Sequence, residues 1–224
     1  KFPRVKVIAA EALQCPTLLN NGFGAHRIEG IGDKHVPWVH NLKETDFVVA
    51  VDDEAPMRAL RLFNEPLGKK ALIQSGVDAD LVEKLDLLGI SGIGNMVAAI
   101  KFAKYNELTQ DDYIVSIATD SMQLYGSRLS ELEQGRGAYS ETNAIKDMEL
   151  ISQITTDHTK ELSYYDRKAI HNLKYYTWIE QQGRDVEELN DQWYDHDNYW
   201  YPMFDQVDSI DRLITEFNER VGLL

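Results

Sequence analysis

Three unbroken apolar runs punctuate the first 125 residues: VKVIAAE (Val5 to Glu11), DFVVAV (Asp46 to Val51) and YIVSIA (Tyr113 to Ala118). A strand with one wet face alternates apolar and polar side chains, so unbroken apolarity over strand length predicts strands covered on both faces, as in a parallel sheet. DDEAPMRALRLFNE follows the second run. Asp52 or Asp53 suits an N-cap there, Pro56 suits a first turn, and Met57, Leu60 and Phe63 recur on one face, which predicts a helix. GISGIGNMVAAIKFAKY (Gly89 to Tyr105) reads as a glycine-rich turn opening into a second helix, with Val97, Ile100 and Lys104 or Tyr105 at helical spacing. Strands alternating with helices at these intervals predict an α/β fold: an open, mostly parallel sheet flanked by helices.

Beyond about residue 130 the pattern changes. Apolar positions recur at helical spacing: Ala169, Leu173 and Tyr176; Val186, Leu189 and Trp193; Ile210, Leu213 or Ile214, and Phe217. QQGRD and YWYPMF read as breaks between helices. Residues 151–224 carry 15 acidic against 7 basic side chains and 12 of the 22 aromatics. The expected division is therefore an α/β portion over 1–135 and an acidic, aromatic-rich helical extension over 136–224.

Charge and composition narrow the function. The net charge of −14 leaves too few Lys and Arg side chains to neutralise phosphates, which argues against nucleic acid and against an anionic membrane surface as partners. The single cysteine, Cys15, excludes an internal disulfide and a multi-cysteine metal site, and fits a cytoplasmic chain. Cys15 itself reads as a small buried or turn residue. The six histidines fall in no metal-binding spacing, and Asp195, His196 and Asp197 read as a solvated acidic loop, so no metal is expected. The opening KFPRVKVIAAE lacks an initiator Met and enters a strand within a few residues, as expected of a chain that begins inside a larger protein.

The candidate chemistry lies where the third run stops, on Thr119, Asp120 and Ser121. In open α/β sheets ligands bind beyond the carboxyl ends of the strands, where glycine turns and helix N-termini present backbone N–H groups. Ser121 also suits an ordinary helix N-cap. The glycines of GISGIGN and of EGIGD suit ordinary tight turns, and their spacing does not match a dinucleotide-binding fingerprint.

In order along the chain, GAHRIEGIGDKHVPWV, DFVVAVDDEAPMRALRLF, LGISGIGNMVAAIKFAKY and DDYIVSIATDSMQLYGSRL resemble the large domain of the cysteine synthase and cystathionine β-synthase family, fold type II enzymes using pyridoxal 5'-phosphate. The resemblance covers about residues 5–130. It implies that the turn of Gly30, Ile31 and Gly32 lies beside cofactor and substrate, and that the Ser121 hydroxyl faces the pyridine nitrogen. It also implies a homodimer and an amino-acid substrate of the serine or cysteine type. A neutral hydroxyl leaves the ring nitrogen largely unprotonated, so a substrate carbanion is relieved by expelling a β-leaving group, the logic of β-elimination and β-replacement. Neighbouring strand residues point to opposite faces, which makes Asp120 structural.

Two features depart from the family's pattern. The Schiff-base lysine segment and the glycine-threonine phosphate loop are absent, so no catalytic residue is expected in this chain and both motifs are expected in a missing N-terminal portion. Lys34, Lys101 and Lys104 offer no substitute. Residues 65–87 also exceed the family's link between its second helix and its glycine turn, and read as an extended surface helix. The alternative readings are a non-catalytic binding or interaction module derived from this fold, or a nicotinamide-dependent dehydrogenase resting only on strand–helix order and glycines.

Overall fold

The computed structural model describes residues 5–224; the opening Lys1–Arg4, where the chain was expected to enter from a larger protein, lies outside the described residues. The fold is α/β. The first two runs form β1 (Ile8–Ala12) and β2 (Phe47–Val51), paired in parallel from Ile8 opposite Phe47 to Ala12 opposite Val51. The short helix α1 (Thr17–Asn20) leaves β1, and Glu11 at the strand's end accepts from the Leu18 and Leu19 amides at 2.9 and 2.8 Å. Burial raises the Glu11 carboxyl above its ordinary value against the opposing pull of those two N–H groups.

All five residues of β2 are buried, as unbroken apolarity requires. One face packs against α2 (Glu54–Asn64), where Met57 and Leu60 are fully buried. Asp53 holds the N-cap position without a side-chain capping bond, and Asp52 just before it accepts from the Glu54 amide through Oδ1 at 2.8 Å. Residues 65–87 form α3 (Pro66–Gln74), α4 (Ala79–Val82) and a 3-10 turn, with α3 lying on α2 at the surface. α5 (Ile90–Tyr105) then crosses the sheet, and its Phe102 ring meets Phe47 edge-on with centroids 5.0 Å apart. After α6 (Gly126–Arg136), α7 (Glu141–Ser152) returns to α2 and α3.

The other face of β2 is covered from the C-terminal side. The short β3 (Thr159–Glu161) pairs antiparallel with β2, and α8 (Tyr164–Lys174), which continues as a π-helical turn over Tyr175–Gln181, leads to α9 (Val186–Tyr194). Val48, Leu42, Leu162, Ile170 and Trp193 close this second core. Two further helices, α10 (His196–Phe204) and α11 (Val207–Arg220), end the chain.

Three expectations need correction. The sheet is small and mixed rather than mostly parallel, with the order β1-β2-β3. The third apolar run is not a strand: residues 113–118 form no regular element, with Val115 88% and Ile117 69% exposed, and their backbone makes no hydrogen bond to another described residue. Strand structure requires a partner ladder, and this run has none. Lastly, YWYPMF is no break. Pro202 lies inside α10, two residues before the helix ends at Phe204, and forgoes the one intrahelical bond its missing N–H would have made.

Candidate functional site

The EGIGD turn sits at the carboxyl end of β1. Gly30 and Gly32 have φ of 84° and 93°, the left-handed region that glycine enters without a Cβ penalty. A Cβ on Gly32 would stand 3.2 Å from that of Ala12, the last residue of β1. Three bonds fix the loop. His26 Nε2 lies 2.8 Å from the Gly32 carbonyl oxygen, the Arg27 amide donates to Asp53 at the end of β2 at 2.7 Å, and Glu29 pairs with Arg128 of α6.

The sequence placed GISGIGN in a turn; instead Gly89 caps α5 and Gly92 and Gly94 lie within its first turns. Gly94 is bare so that Ile28 and Ile31 can approach, its absent Cβ falling 3.1 and 3.3 Å from their side chains. Gly89 faces the tip of the third run: a Cβ there would collide with the Asp120 carboxylate. The Gly89 amide donates to the Asp120 carbonyl oxygen at 3.1 Å, and Tyr125 donates its hydroxyl to Asp120 Oδ2. Burial and the Asp120 charge push Tyr125 up to about 12, so the phenol keeps its proton. Asp120 is thus structural, although its Oδ1 is buried with no partner among the described residues.

Ser91 joins the two halves. Its hydroxyl lies 2.8 Å from Thr119 Oγ1, and its Cβ is 3.4 Å from where a Gly30 Cβ would be. The structure therefore brings the Gly30–Gly32 turn and the 119–121 tip onto one helix start, at the strands' carboxyl ends. Ser121 is half-buried and extended, at the N-terminus of the 3-10 turn Met122–Leu124, yet its side chain makes no capping bond. Its hydroxyl has no hydrogen-bond partner among the described residues. Sequence reasoning missed Ser91, Glu29–Arg128 and His26, which are joined to the site by contacts spanning up to 99 residues; the one local sign was a serine set between the glycines of GISG.

Two of the lysines set aside in the sequence, Lys101 and Lys104, are engaged elsewhere. Lys101 pairs with Asp157 at 3.1 Å, and Lys104 donates to the Ile154 carbonyl oxygen at 2.6 Å. Lys174 is wholly buried on the far face of the sheet, donating to the carbonyls of Trp38 and His40 and to Gln192 Oε1 at 2.7–2.8 Å. Burial pushes it down to about 7. Cys15 is buried beside Thr17. Among the described residues no group of three His, Cys, Asp or Glu side chains is placed to hold a metal, and no helix is long and apolar enough to cross a membrane.

No family model matches the chain, and no solved structure matches it. Among curated proteins it is similar to cysteine synthase B of Campylobacter jejuni, with 27% identity over 125 residues covering 56% of this chain and 35% of that protein. The chain thus spans about a third of the relative's length, and the likeness supports a cysteine synthase-like relationship.

Proposed function

We propose that this chain is the large-domain portion of a pyridoxal 5'-phosphate enzyme of the cysteine synthase type, acting on a serine- or cysteine-type amino acid by β-elimination or β-replacement. What supports this reading is Ser91, whose hydroxyl lies 2.8 Å from Thr119 Oγ1 and whose Cβ lies beside the Gly30 backbone, so that one helix start joins the glycine turn to the segment carrying Ser121. The residues fit the group in kind. A neutral hydroxyl such as that of Ser121 can donate to a heteroaromatic nitrogen.

When bound, the cofactor supplies the electron sink for the carbanion at the substrate's α-carbon. Ser121 would donate its proton to the pyridine nitrogen without transferring it, and Gly30, Ile31 and Gly32 would line the substrate side. Thr119 and Ser91 would hold the tip in place, and Glu29–Arg128 would fix the turn. The amine that binds the cofactor covalently and the phosphate cradle would come from polypeptide outside these 224 residues.

A structural detail supports that last step. The outer edge of β1, which pairs with no further strand among the described residues, and residues 114–116 line a common cavity of about 280 Å³ floored by Asn95, Ala98 and Ala99 of α5. A strand supplied from the same additional polypeptide would pair with β1 and turn the third run into the strand its sequence predicts.

Titration of the 224-residue protein with pyridoxal 5'-phosphate tests the site, read by amide chemical shifts. Shifts confined to 29–33, 89–92 and 119–122, weakened in Ser121→Ala and retained in Ser121→Thr, are expected. Shifts elsewhere, or none, would refute the assignment. In polypeptide that also carries a Schiff-base lysine, release of pyruvate from an activated serine should fall at least tenfold in Ser121→Asp.

A further inference from the structure

Between α2, the end of α6 and α7 lies a second cavity, of about 220 Å³, lined by four cationic side chains, Arg58, Arg61, Arg136 and Lys146, against two carboxylates, Glu54 and Asp147. In a chain of net charge −14 this local excess of positive charge runs against the whole. Both carboxylates are matched. Glu54 accepts from Nη1 and Nη2 of Arg136 at 2.7 and 2.9 Å, and Asp147 accepts from Arg58 Nε and, at 2.9 Å, from the Tyr139 hydroxyl. Two cations remain. Arg61 is 3% exposed, lies over the Tyr139 ring at 4.8 Å and donates from Nη2 to the Gly137 carbonyl oxygen at 3.0 Å. Its Nε is buried with no hydrogen-bond partner among the described residues, the Glu65 carboxylate standing 3.7 Å off. Lys146 is exposed and pairs with no acid among the described residues. Buried polar atoms in native proteins are bonded almost without exception, so the Arg61 N–H points to a bound group. A water would satisfy the N–H and leave the charge unanswered, whereas an anion answers both.

We propose that this cavity binds inorganic phosphate. Arg61 Nε and Lys146 donate to the ion, and so does Asn143, which spends its Oδ1 on the cap of α7 and has only its Nδ2 donors left to give. Arg61 from the buried side and Lys146 from the exposed side suit a tetrahedral ion, whose oxygens point in every direction, better than a carboxylate, which is met along one edge. The two carboxylates on the same wall select phosphate over sulfate. Near neutral pH phosphate keeps a P–OH that Glu54 or Asp147 can accept, while sulfate has no proton to offer and is only repelled by them. The proposal is independent of the cofactor reading, since none of these side chains lies in the Gly30–Gly32 turn or the 119–121 tip. The cofactor titration is read in phosphate buffer, so that this pocket is filled beforehand and the two sites are reported separately.

Titration of the 224-residue protein with sodium phosphate, at ionic strength held constant with chloride, tests it through the arginine Nε–H and backbone amide resonances. The Arg61 Nε–H signal should move and saturate, the amides of 58–61 and 143–147 should follow, and those of 29–33 and 119–122 should stay. Asn143→Asp replaces the donors by a carboxylate and keeps the cap, because Asp166 fills the same place in the capping box of α8. It should weaken phosphate binding by about tenfold, the loss of one charge-assisted bond, with the unfolding midpoint unchanged. Lys146→Glu, at an exposed position, should weaken binding by a similar factor. No saturable shift up to about 50 mM phosphate would overturn the proposal. So would an equal response to sulfate at the same concentration or to chloride alone, or an affinity that neither substitution moves.

Discussion

FVVAV at 47–51 and YIVSIA at 113–118 are nearly equal in apolar content and length, and they meet opposite fates. The first is buried at every residue, bonded to β1 on one edge and β3 on the other, and packed on both faces. The second forms no regular element, lies exposed, and leads to a tip held by the bond between Ser91 and Thr119, by the Gly89 amide and by Tyr125. Hydrophobicity makes a segment worth burying, but a strand exists only where another backbone answers its N–H and C=O groups.

Placing one charge in each run gives the largest test of that difference. Val49 is fully buried, and Val49→Asp should cost about 4 kcal/mol or more, enough to unfold the protein under mild conditions. Val115→Asp should change stability by no more than about 0.5 kcal/mol, because its side chain is already in water. Urea midpoints would report both. If the additional polypeptide inserts a strand between β1 and the third run, the second substitution becomes costly there while remaining neutral in the 224-residue protein.

A smaller test acts on what covers β2. Beyond the second core, Lys174 is buried with His40 and His171 nearby, and burial together with the Lys174 charge pushes both histidines down to about 4 from an ordinary 6.5. The unfolded chain therefore takes up these protons first as the pH falls. The stability that neutral rings provide is complete above 6.5, declines through the window to 4, and amounts to at most about 3 kcal/mol for each ring. Urea unfolding at pH 7.5 and 4.5, followed by tryptophan fluorescence, should show that loss. His171→Gln should shrink it. The exposed third run, which has no such cover, should exchange without protection, at the intrinsic rate for each pH, at both values.

β1, β2, α2, α5 and the helices around Leu173, Leu189 and Phe217 were legible in the sequence because their signals are local: unbroken apolarity, a cap, a recurring face. β3 was not. Thr159, Lys160 and Glu161 carry no strand pattern, and they pair only because β2 presents an open edge to them. The same rule undid the prediction for 113–118, whose local signal was good and whose partner was absent. At the candidate site the glycines and Ser121 could be picked out singly, whereas their convergence could not, since Ser91 meets Gly30 across 61 residues and Thr119 across 28.

The finest contrast concerns the tip itself. β2 is anchored along its whole length by two ladders, so no single bond decides its position; the third run hangs from Ser91 and Gly89. Ser91→Ala removes one hydroxyl bond, and because Thr119 is exposed its own hydroxyl can turn to water, leaving no orphaned group. The cost to global stability should then be only about 0.5–1 kcal/mol. Its local effect should be larger: with the tip freed, the Gly89 amide, which donates to Asp120, should lose exchange protection while the β2 amides keep theirs. Equal loss at both places would mean that Ser91 supports the whole core. Loss at neither would mean that the Asp120–Tyr125 bond alone holds Ser121 in position, and that the two halves of the site are joined through Gly89 rather than through Ser91.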